Sequence, residues 1–171
     1  MGGTILSGII SGIIASALFF IILQLVKPII KVSKEINLKE KNGSIYEYHI
    51  KVVNKTLAML TNVQYKLYFC KNIQNKLIDI TEIKPKKPMI SFIKKHNHSE
   101  TAEYAVRLSY KIDVSKYKFK ENGSTGYLLF TISGTHSITG ATKTIERIYT
   151  SDKIAEGFFA IGDSLVINPK Q

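Results

Sequence analysis

The chain has 171 residues, with 24 Lys and Arg against 13 Asp and Glu, a net charge of +11, and a single cysteine. One thiol excludes an internal disulfide and suits a reducing compartment, and the length beyond the initial apolar run holds one domain with a real core but not two. So positive a balance fits two partners, the anionic inner leaflet of a membrane or a phosphate-bearing ligand such as a nucleotide.

From Thr4 to Val26 there is no charge, and Gln24 is the only strongly polar side chain. As a helix this run reaches roughly 34 Å, enough to cross a hydrocarbon layer of about 30 Å. A cleaved signal peptide is shorter, begins with positive charge and ends in small residues. Here MGGT is uncharged and the run ends in QLVKP, so a retained anchor over residues 1–27 is expected. Lys27, Lys31 and Lys34 follow the span and no Lys or Arg precedes it. That bias predicts an inner-membrane protein with its N-terminus outside and residues 28–171 in the cytoplasm.

Within the span, SGIISGIIASA sets Gly8, Gly12 and Ser16 on one helical stripe and Ser7, Ser11 and Ala15 on a second beside it. Small residues at this spacing let two helix backbones approach in lipid, so a homo-oligomer through the anchor is expected.

After Pro28, which cannot continue a helix, the hydrophobic period becomes two. In IYEYHIKVVN the side chains of Tyr46, Tyr48, Ile50 and Val52 share one face and Glu47, His49 and Lys51 the other, as in a strand with one buried face. The same alternation places Val63, Tyr65, Leu67 and Phe69 together, and then Tyr104, Val106, Leu108, Tyr110 and Ile112. Further strands are predicted at 30–38, 77–83, 89–93, 127–133, 142–150 and 161–167. The dipeptides Asn42-Gly43 and Asn122-Gly123 read as turns, and SDKIAEGFF as a helical turn. No long helical pattern intervenes. The fold class expected is therefore all-β, an antiparallel β-sandwich, immunoglobulin-like or a small barrel, preceded by one transmembrane α-helix.

The most basic stretch is EIKPKKPMISFIKKHNHSE, which concentrates Lys84, Lys86, Lys87, Lys94 and Lys95. These five are the candidate contacts for an anionic ligand or lipid. The bland alternative is a sheet edge blunted by Pro and Lys. His96 and His98 form H-x-H, but two lysines precede them and no third ligand is apparent, so no metal site is assigned. No cofactor motif occurs: Gly157 and Gly162 are spaced wrongly for a dinucleotide fingerprint. No nucleophile elbow, phosphate loop or paired-Cys motif is found either, and Asp113, Asp152 and Asp163 stand beside turns. An enzyme is not expected. The sequons at Asn42, Asn54, Asn97 and Asn122 are read as chance matches.

The segment HIKVVNKTLAMLTNVQYKLYF resembles the strand, Asn-containing turn, strand unit of immunoglobulin-like sandwiches, without their Cys and Trp core. The layout of MGGTILSGIISGIIASALFF followed by a β-rich domain resembles bacterial antiphage membrane effectors. That resemblance is of architecture alone, and it implies a nucleotide signal received by the β-domain and helices that assemble to disrupt the bilayer. A rival expectation is an anchored adaptor that binds a protein partner through its sandwich without self-assembly.

Overall fold

A computed structural model describes residues 2–25, 27–42, 45–73, 77–97, 102–113, 117, 120–121 and 124–169. One helix, α1 (Gly2–Leu25), comes first. Its most apolar window, Ile5–Ile22, has a mean hydropathy of 2.5 and no buried residue. The helix is thus long and apolar enough to cross a membrane, and the domain does not shelter it. The Ser16 hydroxyl donates to the Gly12 carbonyl at 2.8 Å, which satisfies it within the helix.

The period-two segments then form strands β1 (Ile30–Val32), β2 (Ile36–Asn42), β3 (Ile45–Asn54), β4 (Leu60–Ile73), β5 (Leu77–Ile83), β6 (Phe92–Ile93) and β7 (Ala105–Asp113). They continue with β8 (Lys120–Glu121), β9 (Ser124–His136), β10 (Thr142–Tyr149), β11 (Ile154–Glu156), β12 (Phe158–Phe159) and β13 (Ile167–Asn168). The first sheet runs β1-β3-β2-β11 with β7 on β3, and the second runs β10-β9-β4-β5 with β6 on β4 and β8 on β9. Every pairing but β11 with β2 is antiparallel among the described strands. The fold is all-β with one N-terminal helix, as expected.

Between the sheets lie Tyr48, Ile50 and Val52 of β3, Val63, Tyr65, Leu67 and Phe69 of β4, and Leu108, Tyr110 and Ile112 of β7, all buried. Each fully buried side chain of this size contributes about 1.5–3 kcal/mol of transfer free energy. The turn after β3 is built by Asn54. Its Oδ1 accepts from Thr56 N at 2.9 Å, and its Nδ2 donates to the Ala58 and Lys94 carbonyls, each at 2.9 Å. This carries the chain from one sheet to the other, so the Asn-containing unit is an arch between layers.

Several expected elements differ. The strand expected over 30–38 is broken at Ser33, whose backbone and hydroxyl bond to Lys51 and whose carbonyl accepts from Tyr149 Oη. The strand expected over 89–93 shrinks to β6. SDK forms a 3-10 turn, Ser151–Lys153, followed by short strands. Of the strand expected over 161–167, only Ile167 is in a strand, β13; the rest is the loop of the hairpin made by β12 and β13. Register brings Asn42 opposite Ile45 and Glu121 opposite Ser124, while Gly43, Asn122 and Gly123 of the expected turns lie outside the described residues.

Candidate functional site

Alternation along β3 sends Glu47, His49 and Lys51 away from the core, yet all three are buried. This corrects the expectation of a strand with one wet face. Part of the cover is the loop of the C-terminal hairpin: Lys51 Nζ donates to the Ala160 carbonyl at 2.5 Å and the Ser164 carbonyl at 2.8 Å. Leu165 packs with Val53, Ala102 and Tyr104 in a second small cluster beside it.

Lys86 Nζ closes the other end, 3.3 Å from Glu47 Oε1, which is itself 3.6 Å from His49 Nε2. Across the sheet, His49 has Ser109 on one side and Asn37 on the other, and Lys51 lies beside Arg107. His49 Nδ1 and Asn37 Oδ1 are buried without a hydrogen-bond partner among the described residues. A carboxylate, an imidazole and an ammonium thus share one buried row.

This row adjoins a cavity of about 570 Å³ that wraps the edge strand β7. Three contacts fix the segment that faces it. Pro85 bridges to Tyr110, Lys86 N donates to the Ser109 carbonyl at 2.8 Å, and Tyr65 Oη donates to the Lys87 carbonyl. The result is that Lys86, Lys87 and Arg107 line one space, with Tyr65, Ile90 and Ser109. Lys86 is paired with Glu47, whereas Lys87 and Arg107 have no ion-pair partner among the described residues. The volume lies in the usual range for small-molecule sites, about 300–1,000 Å³.

The five lysines of the basic stretch do not share a cavity. Lys84 lies in a neighbouring groove of about 730 Å³ with Glu82, Lys66 and Met89. Lys94 and Lys95 line a third, near Phe92 and Met59, where Lys94 Nζ is 2.5 Å from Glu103 Oε2. Arg107 was not among the sequence candidates. The only signal for it was its place on the polar face of a strand, which most exposed arginines share.

His96 belongs to another cluster. Its Nε2 is 3.1 Å from Asp163 Oδ1, its ring stands edge-on to Tyr104, and Asp163 also pairs with Lys55. Lys55 and His96 together hold the Asp163 carboxyl below its ordinary value. Asp163 therefore ties the C-terminal loop to the domain and does not simply decorate a turn. Among the described residues no three His, Cys, Asp or Glu side chains are grouped closely enough for a metal ion, and His98 lies outside those residues. On the helix, a methyl group added at Gly8 or Gly12 would meet nothing within 4 Å, and both small-residue stripes face outward.

Burial holds the His49 imidazole below its ordinary value, with Arg107 and Lys39 adding to the effect and Glu47 opposing it. Between that depressed value and about 6.5 the unfolded chain binds more protons than the folded one. Stability therefore falls as pH drops through this window, and the loss is complete below it. In urea titrations of the full chain in detergent, His49→Gln should narrow the stability difference between pH 7.5 and pH 5. An unchanged difference would assign the slope to other groups.

The geometry defines a class: a β-sandwich behind one N-terminal apolar helix, with a basic cavity on one edge strand. The sequence matches no protein-family model and no curated protein.

Proposed function

We propose that this chain is a single-pass membrane protein whose cytoplasmic β-sandwich binds an anionic ligand of about nucleotide size in the cavity beside β7. The carrying observation is the convergence on one space of Lys86 and Lys87, from a segment tethered at three points, with Arg107 from β7. Two of these cations lack a partner charge among the described residues, so a phosphate would be their counter-ion. The apolar floor of Ile90, Val106 and Leu108 suits a base or another flat group. Occupancy is then relayed to α1, whose small-residue stripes at Gly8, Gly12 and Ser16 and at Ser7, Ser11 and Ala15 form the contact between copies. The sharper form of this reading is the nucleotide-signalled antiphage effector, in which helix assembly breaches the bilayer.

Isothermal titration of the full chain in mild detergent with ATP, and with pyrophosphate, tests the cavity. Each charge-assisted contact contributes about 1.5–3 kcal/mol, so Lys86→Gln, Lys87→Gln and Arg107→Gln together should weaken binding by more than ~100-fold and flatten its salt dependence. The Lys94→Gln, Lys95→Gln pair should leave it unchanged. Equal affinity before and after the triple substitution would reject the site.

The adaptor reading has its own observation in the outer face of the second sheet. Ile78, Ile80 and Ile148 are 52%, 60% and 58% exposed there, and Ile148 lies beside Leu129 in register, which lies beside Tyr68. An apolar face of this kind suits a protein partner. Under that reading the chain stays monomeric in the membrane with or without ATP when cross-linked in native vesicles.

A further inference from the structure

On the side of the sandwich away from β7, the edge strands β1 and β10 leave a cavity of about 510 Å³ between them. Its cations are Lys31, Lys34 and Arg147, its one carboxylate is Glu35, and Ile145 and Val166 supply apolar wall. Arg147 is placed unusually. On β10 its neighbours at two residues' distance are Tyr149, fully buried, and Ile145, packed on the core, so alternation turns Arg147 inward as well. Its register partner is the buried Phe130. Among the described residues, Arg147 Nε is buried without a hydrogen-bond partner and its guanidinium enters no ion pair. A donor in that position calls for an acceptor.

The chain also fixes where this cavity lies. Ile29 N donates to Thr56 Oγ1 at 2.7 Å, and Lys55 N donates to the Ile29 carbonyl at 2.7 Å. The domain therefore begins no later than residue 29, whereas α1 ends at Leu25. Four residues of chain span at most ~14 Å. The 24-residue helix is roughly 36 Å long against a hydrocarbon layer of about 30 Å, which puts its end among the headgroups. Lys31 lies within β1 and Lys34 just after it, so the mouth of the cavity is held next to the lipid surface.

We infer that this cavity takes the phosphate of an anionic phospholipid from the leaflet in which α1 ends, an inference that rests on the helix spanning the bilayer. Arg147 supplies the paired N–H donors, Lys31 and Lys34 the rim charge, and Ile145 and Val166 meet the glycerol ester region. Such a lipid would also fix the orientation of the sandwich on the membrane.

Native mass spectrometry of the full chain in dodecyl maltoside, titrated separately with dioleoyl-phosphatidylglycerol, dioleoyl-phosphatidylcholine and glycerol 3-phosphate, tests it. Phosphatidylglycerol should be retained at least tenfold more tightly than phosphatidylcholine. Arg147→Gln should remove that preference, and Arg147→Lys should keep part of it. The Lys31→Gln, Lys34→Gln pair changes only exposed side chains, so it should weaken phosphatidylglycerol tenfold with an unaltered circular dichroism spectrum. Equal retention of the two lipids would overturn the inference. So would an unchanged preference in the lysine pair alongside an aggregating Arg147→Gln, which would make Arg147 a guard of the sheet edge. Glycerol 3-phosphate binding as tightly as the lipid would assign the cavity to a soluble phosphate. Alkaline carbonate extraction separates the two levels. Release of the chain from membranes defeats the anchor itself, whereas a retained chain blind to phosphatidylglycerol defeats only the lipid site.

Discussion

Gly157→Ala should detach the C-terminal hairpin from the domain. Gly157 has φ +152°, in the left-handed region that side chains avoid, and a Cβ there would lie 2.0 Å from the Asn168 carbonyl oxygen and 2.7 Å from Ile167 Cγ2. A backbone oxygen cannot yield without breaking the pairing of Phe158 with Asn168 and of Phe159 with Ile167. Backbone strain of this kind costs about 1–3 kcal/mol while the hairpin stays paired; against release stands the burial of Phe159, which contributes about 1.5–3 kcal/mol. The clash with a backbone oxygen adds to the strain, and two strands of two residues each have little pairing to set against it. Hydrogen exchange should therefore show residues 158–168 losing protection while β3, β4 and β9 keep theirs. Gly140→Ala is the control: its φ is +70° but nothing lies within 4 Å of an added Cβ, so only the left-handed cost of about 1–2 kcal/mol applies. If the two variants lose the same stability and the hairpin stays protected, the close approach at Gly157 is not what holds it.

Whatever alternation can report was legible beforehand. Tyr48, Ile50 and Val52, and then Val63, Tyr65 and Phe69, are β-branched or aromatic residues on one face, and with Leu67 they fill the core as read. The buried row of Glu47, His49 and Lys51 was not legible, because periodicity says which side chains share a face and nothing of what overlies it. The cover on Lys51 comes from 109 and 113 residues further along the chain. The hairpin loop misled in the opposite way, since Ile161 and Val166 suggested a strand but are 82% and 65% exposed.

The basic stretch was found as a run of charge, yet Pro85 and Pro88 lie within it, and its lysines open onto three separate spaces. Arg107, which completes one of those spaces, arrives from another strand. In TKTIERIY each face mixes polar and apolar residues, so neither could be named the inner one, and Arg147 was hidden among them. Proximity in sequence located charge, but the strand pairings decided which charges meet.

The C-terminal clasp leads to the second large effect, at Lys51. Its ammonium holds two loop carbonyls, while burial pulls its pKa below the ordinary lysine value, Arg107 adds to that, and Asp163 opposes it. Two contributions are therefore in competition: desolvation of a charge disfavours the residue, and the hydrogen bonds it donates favour it. Truncation separates them. Lys51→Ala removes the aliphatic stem and both donors, leaving a cavity and two unsatisfied carbonyls, so a loss of about 3 kcal/mol is expected. Lys51→Met restores the stem's packing without the donors and should lose about 1–2 kcal/mol.

The pH dependence supplies a second readout. Because the folded value is depressed, the unfolded chain binds more protons between that value and about 10.4, so wild-type stability gains from this residue as pH rises through the window. Neither variant should show that gain. Urea titrations followed by circular dichroism at pH 7.5 and pH 10, on the full chain, give both quantities. If Lys51→Met is as stable as wild type at neutral pH, the two carbonyl contacts only offset the cost of burying the charge, and the hairpin is held by Leu165 and the Asp163 ion pairs instead.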